Sequence, residues 1–153
     1  MIPAELQSLL IDQLPSVPGI EAAAPWTGRP YGLAVTAATA GTVYWTITGA
    51  SNTAPTAGGE RLGPQPLPDL PGGRKAATDQ IEQALLTALK AGDVDQHFVR
   101  AERYSTLESR PAVQYGVTVD AIDGWRLFVA CVGTAKRNEE LRDGRHFHPD
   151  NTV

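Results

Sequence analysis

Two histidines and an aspartate stand at alternate positions in the segment 146–150, His-Phe-His-Pro-Asp. In an extended chain alternate side chains share a face, so His146, His148 and Asp150 have the chemistry and spacing of metal ligands. A structural zinc site takes about four ligands in a closed geometry, and only a distant cysteine and a distant histidine are left to complete it. We therefore interpret the segment as part of a solvated tail. A metal-dependent enzyme that uses these histidines is the least favoured function.

Cys131 is the single cysteine of the chain, which excludes an intramolecular disulfide. A nucleophilic cysteine needs an exposed, electropositive setting that lowers its pKa. The flanking residues 128–132 are apolar instead, a pattern typical of a buried strand, where a free cysteine behaves as a small hydrophobic residue. We predict that Cys131 is buried in a strand and has no catalytic role.

The glycine-rich segment 71–75, Pro-Gly-Gly-Arg-Lys, precedes a predicted helix whose N-terminus could hold an anion. It follows no strand and lacks the glycine and lysine order of a phosphate-binding loop, so we interpret it as a flexible joint. The formal net charge of the chain is -4, and a nucleic-acid site would need a local positive field. Only the pairs Arg74-Lys75 and Lys136-Arg137 offer one. We expect no direct sequence-specific nucleic-acid binding.

Carboxylate pairs are available for acid–base chemistry, among them Glu102 with Glu108 and Asp120 with Asp123. Such chemistry requires unequal environments for the two groups, which a sequence does not reveal. No serine stands in a Gly-x-Ser-x-Gly elbow. We predict that the protein is not an enzyme, with no catalytic residue, no metal site and no cofactor.

Two helices are predicted from leucine and alanine periodicity. The first covers 3–14, with Pro3 at the first helical position. The second runs from about 79 to 91, with Asp79 and Glu82 at the spacing of a capping box and Gly92 at its C-terminal end. The predicted buried stripes are Leu6, Leu9, Leu10 and Leu14 in the first helix, and Ile81, Ala84, Leu85, Ala88 and Leu89 in the second.

Alternating apolar residues predict strands at 31–36 and 42–48, which form a hairpin, and at 113–119. The stretch 97–107 is a further candidate strand. Asp123-Gly124 favours a hairpin turn into a strand at 125–132. That last strand is almost continuously apolar, which favours cover on both of its faces. The predicted fold is α+β, an antiparallel sheet with two helices packed on one face.

The segment 50–77 is dense in proline and glycine, which neither a helix nor a central strand tolerates. We predict an irregular arm that reaches away from the core, so that deletion of 52–72 leaves the core folded. The domain then covers 1–135 with this arm inside it, and 136–153 forms a polar tail. The sequence shows no internal repeat.

Aromatic residues gather around the first hairpin. We assign Trp45 and Trp125 to the core, while Trp26, in a connection flanked by prolines, fits the core and an interface equally well. Phe147 is an aromatic residue in an otherwise polar tail. The predicted interface residues are Trp26, Arg74, Lys75 and Phe147.

The order of elements resembles that of small phage tail-terminator and neck proteins, which form rings at the head end of a tail. The resemblance lies in the helix at 3–14, the hairpin at 31–48, the arm at 50–77 and the helix and strands at 79–132. It covers order and length, and no functional residue carries over. It implies a ring or connector subunit in a virion, assembled in the host cytoplasm, whose partners are other copies and adjacent virion proteins.

The alternative function is a small ligand-binding or accessory protein with a cleft between the sheet and the second helix. A membrane partner is not expected, because no apolar run approaches the roughly 20 residues that span a bilayer. The N-terminal residues also lack the basic start of a signal peptide.

Overall fold

The computed structural model describes residues 1–51, 61–70, 73, 75–109, 111–139, 141 and 151–153. It confirms the α+β class, with two helices and one six-stranded antiparallel sheet. The elements in chain order are α1 (Pro3–Gln13), a 3₁₀ turn (Leu14–Ser16), β1 (Ile20–Trp26), β2 (Gly32–Ala37), β3 (Thr42–Ser51), α2 (Thr78–Gly92), β4 (Phe98–Arg103), a second 3₁₀ turn (Tyr104–Thr106), β5 (Gly116–Ala121) and β6 (Trp125–Ala135).

The strands are ordered β1-β2-β3-β6-β5-β4 across the sheet. Each half of the chain therefore contributes one helix followed by a three-stranded meander, and the two meanders join where β3 pairs with β6. That central pairing runs from Thr42 opposite Ala135 to Ser51 opposite Trp125. The order is the one that an approximate two-fold axis between β3 and β6 would produce. The fold thus repeats a unit that the amino-acid sequence does not reveal.

Both helices pack on one face of the sheet and share a single core with it. The predicted stripes point inward, with Leu9 only partly buried at the margin of the core. The sheet presents alternate residues to the helices, and Trp45 is fully buried among them, as predicted. Fully buried core side chains include Leu6, Leu10, Leu14, Leu33, Val35, Val43, Ile47, Ile81, Leu85, Leu89, Val117, Val119, Leu127 and Val129.

The predicted capping box of the second helix is wrong. The N-cap is Ala77, without a side-chain hydrogen bond, and helical residues begin at Thr78. Glu82 has no exposed surface and binds groups on the sheet instead. Gly92 is the last helical residue rather than a left-handed residue beyond the helix. A Cβ atom there would lie 2.8 Å from Leu9 Cγ, so this glycine allows α1 and α2 to approach closely.

The connection flanked by prolines in which Trp26 was placed contains a strand, β1, at one edge of the sheet. Its sequence, Ile-Glu-Ala-Ala-Ala-Pro-Trp, lacks alternating apolar residues, and Ile20 is its only buried residue. Pro25 fits because an edge strand leaves one row of N–H groups unpaired. Pairing with β2, rather than burial, defines this strand.

The predicted arm begins later than expected and does not simply reach away from the core. Residues 50 and 51 belong to β3, and 61–70 contain no helix or strand but lie against the domain. Leu62 is buried, and its N–H donates to Phe98 O at 3.0 Å. The carbonyl of Pro66 accepts hydrogen bonds from Gln83 and Thr87, both at 2.9 Å. Residues 52–60 and 71–72 lie outside the described part of the chain.

Candidate functional site

The sheet has a second face, opposite the helices, where neither α1 nor α2 packs. We call it the outer face. It carries alternate residues of the strands, and its centre lies on β2, β3 and β6. The central side chains are half-buried and mostly small or aromatic: Ala34, Thr36, Tyr44, Thr46, Phe128 and Ala130. Part of the face near β5 is occupied by Tyr104, whose ring lies over Gly116.

Trp26 lies on this outer face, at the end of β1, and not in the main core. Its ring centroid is 5.0 Å from that of Tyr44, with an angle of 58° between the rings. Its other neighbour is Gly28, where an added Cβ would lie 2.2 Å from Trp26 Cζ2. The indole therefore rests between a tyrosine and the backbone of the β1–β2 turn, half-buried. This pair is fixed in position and is still partly open to solvent.

Tyr31 projects from the same turn. Its φ of 49° is unusual for a residue other than glycine, and 47% of it is exposed. Left-handed backbone costs a side-chain-bearing residue roughly 1–2 kcal/mol. The turn is closed by a hydrogen bond from Gly32 N–H to Arg29 O at 3.0 Å. Tryptophan, tyrosine and arginine are the residue types that dominate binding energy at interfaces, and this turn brings all three together.

A cavity of about 600 Å³ opens at the end of the sheet where β2 and β6 finish. We call it the basic cavity. Of the lining residues within the described part of the chain, three are cationic and none is Asp or Glu. The described residues that line it are Thr39, Lys75, Lys136, Arg137, Asn138, Asn151, Thr152 and Val153.

One wall of the cavity is the turn that follows β6. The N–H of Glu139 donates to Lys136 O at 2.9 Å, and Asn138 has a φ of 65°. A positive φ at the third residue of a β-turn is one that asparagine tolerates. The guanidinium of Arg137 donates to Ala38 O at 3.1 Å and to the exposed carboxylate of Glu21 at 3.4 Å. The turn and these bonds hold Arg137 at the rim.

The opposite wall is a short antiparallel pairing between the segment before α2 and residues 151–153. Ala76 and Val153 exchange two backbone hydrogen bonds, at 2.8 and 2.9 Å. Ala77 pairs with Thr152, and Val153 is buried. This part of the predicted polar tail therefore packs on the domain. Its return places Asn151 and Thr152 beside Lys75.

The two basic pairs singled out in the sequence are about 60 positions apart, and the fold brings Lys75 of the first pair to the same cavity as both residues of the second. Lys75, Lys136 and Arg137 line it together, while Arg74 lies outside the described residues. Neither lysine forms an ion pair with any part of the chain that the structure describes. The sequence identified the cations, but their convergence depends on the tertiary fold.

A buried ionic cluster joins α2 to the far half of the sheet, and sequence reasoning missed it. Glu82 accepts hydrogen bonds from Arg103 Nε at 2.8 Å, Ser105 Oγ at 2.5 Å and Gly116 N–H at 2.7 Å. Arg103 also donates to Gln83 Oε1 and to Asp79 O. Both ions are thus satisfied by protein groups, as buried charges require. The cluster positions α2 on β4 and β5, and we assign it a structural role.

Cys131 is buried in β6, as predicted. Burial raises the pKa of its thiol to about 12, so the thiol is protonated at neutral pH. Of the carboxylate pairs, Asp120 binds the guanidinium of Arg126 at 2.6 and 3.0 Å. Asp123 accepts the N–H of Trp125 at the β5–β6 turn. Glu102 pairs with Arg100 on β4.

The histidine segment and Phe147 fall outside the described residues, so the expectations placed on them stay predictions. Among the residues that the structure does describe, no group of three His, Cys, Asp or Glu side chains is arranged to hold a metal ion. In that same part of the chain, no helix is long and apolar enough to cross a membrane.

Comparison with known proteins adds no relative: no family model, no curated protein and no solved structure matches the chain. The function has to be argued from the outer face and the basic cavity.

Proposed function

We propose that this protein is a structural subunit that associates with copies of itself, as a ring or connector component of a phage-type particle, either a tail terminator or a neck protein. The observation that carries the proposal is the aromatic outer face, where the ring centroids of Trp26 and Tyr44 lie 5.0 Å apart and the exposed Tyr31 follows on the β1–β2 turn. The particle assignment rests on the order of elements. The proposed location is the virion, and the proposed partners are other copies and adjacent virion proteins.

The apolar pattern of β6 supports association. Its residues alternate between the core, where Leu127 and Val129 are fully buried, and the outer face, where Phe128 and Ala130 are half-buried. The sequence predicts cover on both faces of this strand, and α1 and α2 cover only one. A neighbouring subunit is the proposed second cover.

The distribution of charge on the outer face also fits an interface. Two charged pairs lie on the β4 side of the outer face: Arg100 with Glu102 on β4, and Asp120 of β5 with Arg126 at the start of β6. The β2–β3 centre carries alanine, threonine and aromatic side chains instead. Interfaces commonly have an aromatic centre depleted of charge and a polar rim.

The test is the oligomeric mass of the purified protein by light scattering across a range of concentrations. We expect a mass larger than that of one chain for the wild type, and Ala34→Arg, which places a charge beside Tyr44, should lower it. Ala91→Arg is the matched control, because Ala91 is exposed on the last turn of α2. A wild-type mass of a single chain at every concentration would refute the proposal. Equal masses for the two variants would place the interface elsewhere.

Ligand binding is the second candidate function, and the basic cavity is the observation that favours it. Pockets for small ligands have volumes of roughly 300–1,000 Å³, and this one measures about 600 Å³. The cleft expected from the sequence was between the sheet and the second helix, whereas this cavity lies at the end of the sheet. A structural subunit can also bind a ligand, so the two proposals are compatible.

A further inference from the structure

We propose that the basic cavity binds a small anion with two or more phosphate groups. This goes beyond the association role and does not depend on it, because the cavity is formed by the ends of β2 and β6 and not by the outer face. The inference rests on the charge, the hydrogen-bonding groups and the volume of the cavity.

The described lining of the cavity has a charge opposite to that of the chain. Lys75, Lys136 and Arg137 converge on it in a protein of formal net charge -4, and the lining residues that the structure describes include no Asp or Glu. Like charges held in one cavity repel each other, and a bound anion would relieve that repulsion. Arg137 does pair with Glu21, at 3.4 Å, but both side chains are about half exposed and such pairs are weak. A bound anion would compete with this weak pair and with the hydrogen bond from Arg137 to Ala38 O at 3.1 Å.

The remaining polar residues supply neutral hydrogen-bond donors. The hydroxyl of Tyr115 donates a hydrogen bond to Asn151 Oδ1. The amide oxygen of Asn151 therefore faces the tyrosine, and its Nδ2 hydrogens can bind another acceptor. Asn138 and Thr152 add an amide and a hydroxyl to the lining. Phosphate oxygens accept such bonds, and bonds in which one partner is charged are about twice as strong as neutral ones.

The volume of the cavity and the types of its described lining residues limit the chemical class of the ligand. A cavity of about 600 Å³ is larger than one phosphate group needs, and its cations lie on two walls. Both facts favour a ligand with several phosphates. Single-stranded nucleic acid usually stacks its bases on aromatic side chains, and no aromatic residue is among the described residues of the lining. A small polyphosphate and a nucleic acid both present a cluster of phosphate oxygens. Of these two kinds of ligand, we favour the free small molecule.

The test is isothermal titration with sodium pyrophosphate at constant ionic strength, with sodium sulfate and a short oligothymidylate as comparators. We expect saturable pyrophosphate binding by the wild type. The double variant Lys75→Gln/Lys136→Gln should weaken it by about tenfold or more, because two charge-assisted contacts are lost. Lys90→Gln is the matched control, since Lys90 lies in the last turn of α2, outside the cavity lining. It should bind like the wild type.

Three results would overturn the proposal. The first is no pyrophosphate binding by the wild type, and the second is equal binding by the double variant. The third is binding of the oligothymidylate alone, which would indicate a nucleic-acid surface. Melting curves of each variant, with and without pyrophosphate at about 10 mM, provide a second readout. A double variant that melts like the wild type but gains no stability from pyrophosphate supports the proposal. If the double variant is unfolded, pyrophosphate binding is measured instead for Lys75→Gln and Lys136→Gln separately, and equal binding by both single variants and the wild type overturns the proposal.

Discussion

Arg103 on β4 and Glu82 on α2 form an ion pair inside the domain, with Nε 2.8 Å from Oε1 and no exposed surface on the glutamate. The same carboxylate accepts the N–H of Gly116 at the start of β5. One side chain of a helix therefore holds two strands of the second meander. Its desolvation is offset only while all of these partners are present.

We predict that Glu82→Ala destabilises the protein by about 3–5 kcal/mol, because it leaves the Arg103 guanidinium and a buried N–H without their partner. Urea unfolding followed by circular dichroism measures this. The control is Asp120→Ala, which breaks the more exposed pair with Arg126 on the sheet surface. Exposed pairs contribute about 0–1 kcal/mol. Similar losses for the two variants would show that the buried cluster has no special role.

The close approach of the helices gives a second prediction. Gly92→Ala adds a Cβ atom 2.8 Å from Leu9 Cγ and 3.0 Å from Gln13 Cγ. We expect a loss of about 1–3 kcal/mol from overpacking, although alanine is the better helix former by about 1 kcal/mol. Gly63→Ala is the matched control, since nothing lies within 4 Å of a Cβ atom there. A Gly92→Ala variant as stable as the wild type would mean that the helices can separate without cost.

Local patterns in the sequence predicted the helices and five of the six strands, because amphipathic periodicity reports which face is buried. The same logic placed Cys131 correctly in the last strand. It failed for β1, where an alanine-rich edge strand is defined by hydrogen bonds to β2 and buries only Ile20. It failed for Glu82 as well. Glu82 lies three residues after Asp79, which is the spacing of a capping box, and this spacing does not distinguish a capping glutamate from one that forms a buried ion pair.

The candidate sites were predictable only in part. Trp26 and Lys75 were chosen as interface residues from composition, and the structure gives each a specific setting, one on the outer face and one in the basic cavity. The cavity itself could not be predicted, since the convergence of Lys75 with Lys136 depends on how residues 151–153 return to pair with 76–77. The phage-particle role stays a prediction.

The arm provides the third prediction, which revises the expected effect of deleting 52–72. Because 61–70 packs against the domain, a deletion that includes it should destabilise the fold. We expect Leu62→Ala to cost about 2–5 kcal/mol, as for other buried leucines, since 7% of Leu62 is exposed. Leu67→Ala, where 64% is exposed, should change stability by less than about 0.5 kcal/mol. Thermal melts of the two variants measure the difference, and equal melting temperatures would contradict the packing of this segment.

The fourth prediction concerns the pH dependence of stability at Cys131. Its thiol has a pKa of about 12 in the folded state, raised by burial from an ordinary value of 9.0. Ionisation above pH 9 therefore favours the unfolded chain. The stabilising contribution of the neutral thiol is full below pH 9 and declines as pH rises toward 12.

Comparison of the wild type with Cys131→Ala isolates this contribution, since other groups titrate equally in both proteins. The stability advantage of the wild type should shrink between pH 9 and pH 11 in urea unfolding. Folded wild type should also react slowly with a thiol reagent at pH 8, because labelling requires an exposed thiolate. Rapid labelling under native conditions would disprove the burial of Cys131.

The fifth prediction separates folding from association at Tyr31. Tyr31→Gly removes an aromatic side chain that is 47% exposed and relieves its left-handed backbone, with φ of 49°. The relief is worth roughly 1–2 kcal/mol, against about 0.5–1 kcal/mol lost to the greater freedom of glycine in the unfolded chain. We therefore expect a monomer at least as stable as the wild type. Association should be weaker, because Tyr31 belongs to the β1–β2 turn, which adjoins the proposed interface at Trp26.

Gln96→Gly is the matched control. Gln96 has nearly the same backbone conformation, with φ of 52°, but lies in the loop between α2 and β4 rather than on the β1–β2 turn. The same strain is relieved there without any change to the outer face. Both variants should keep or raise the melting temperature, and only Tyr31→Gly should lower the oligomeric mass in light scattering. Loss of mass in both variants would show that association depends on backbone strain in general, and loss in neither would remove Tyr31 from the interface.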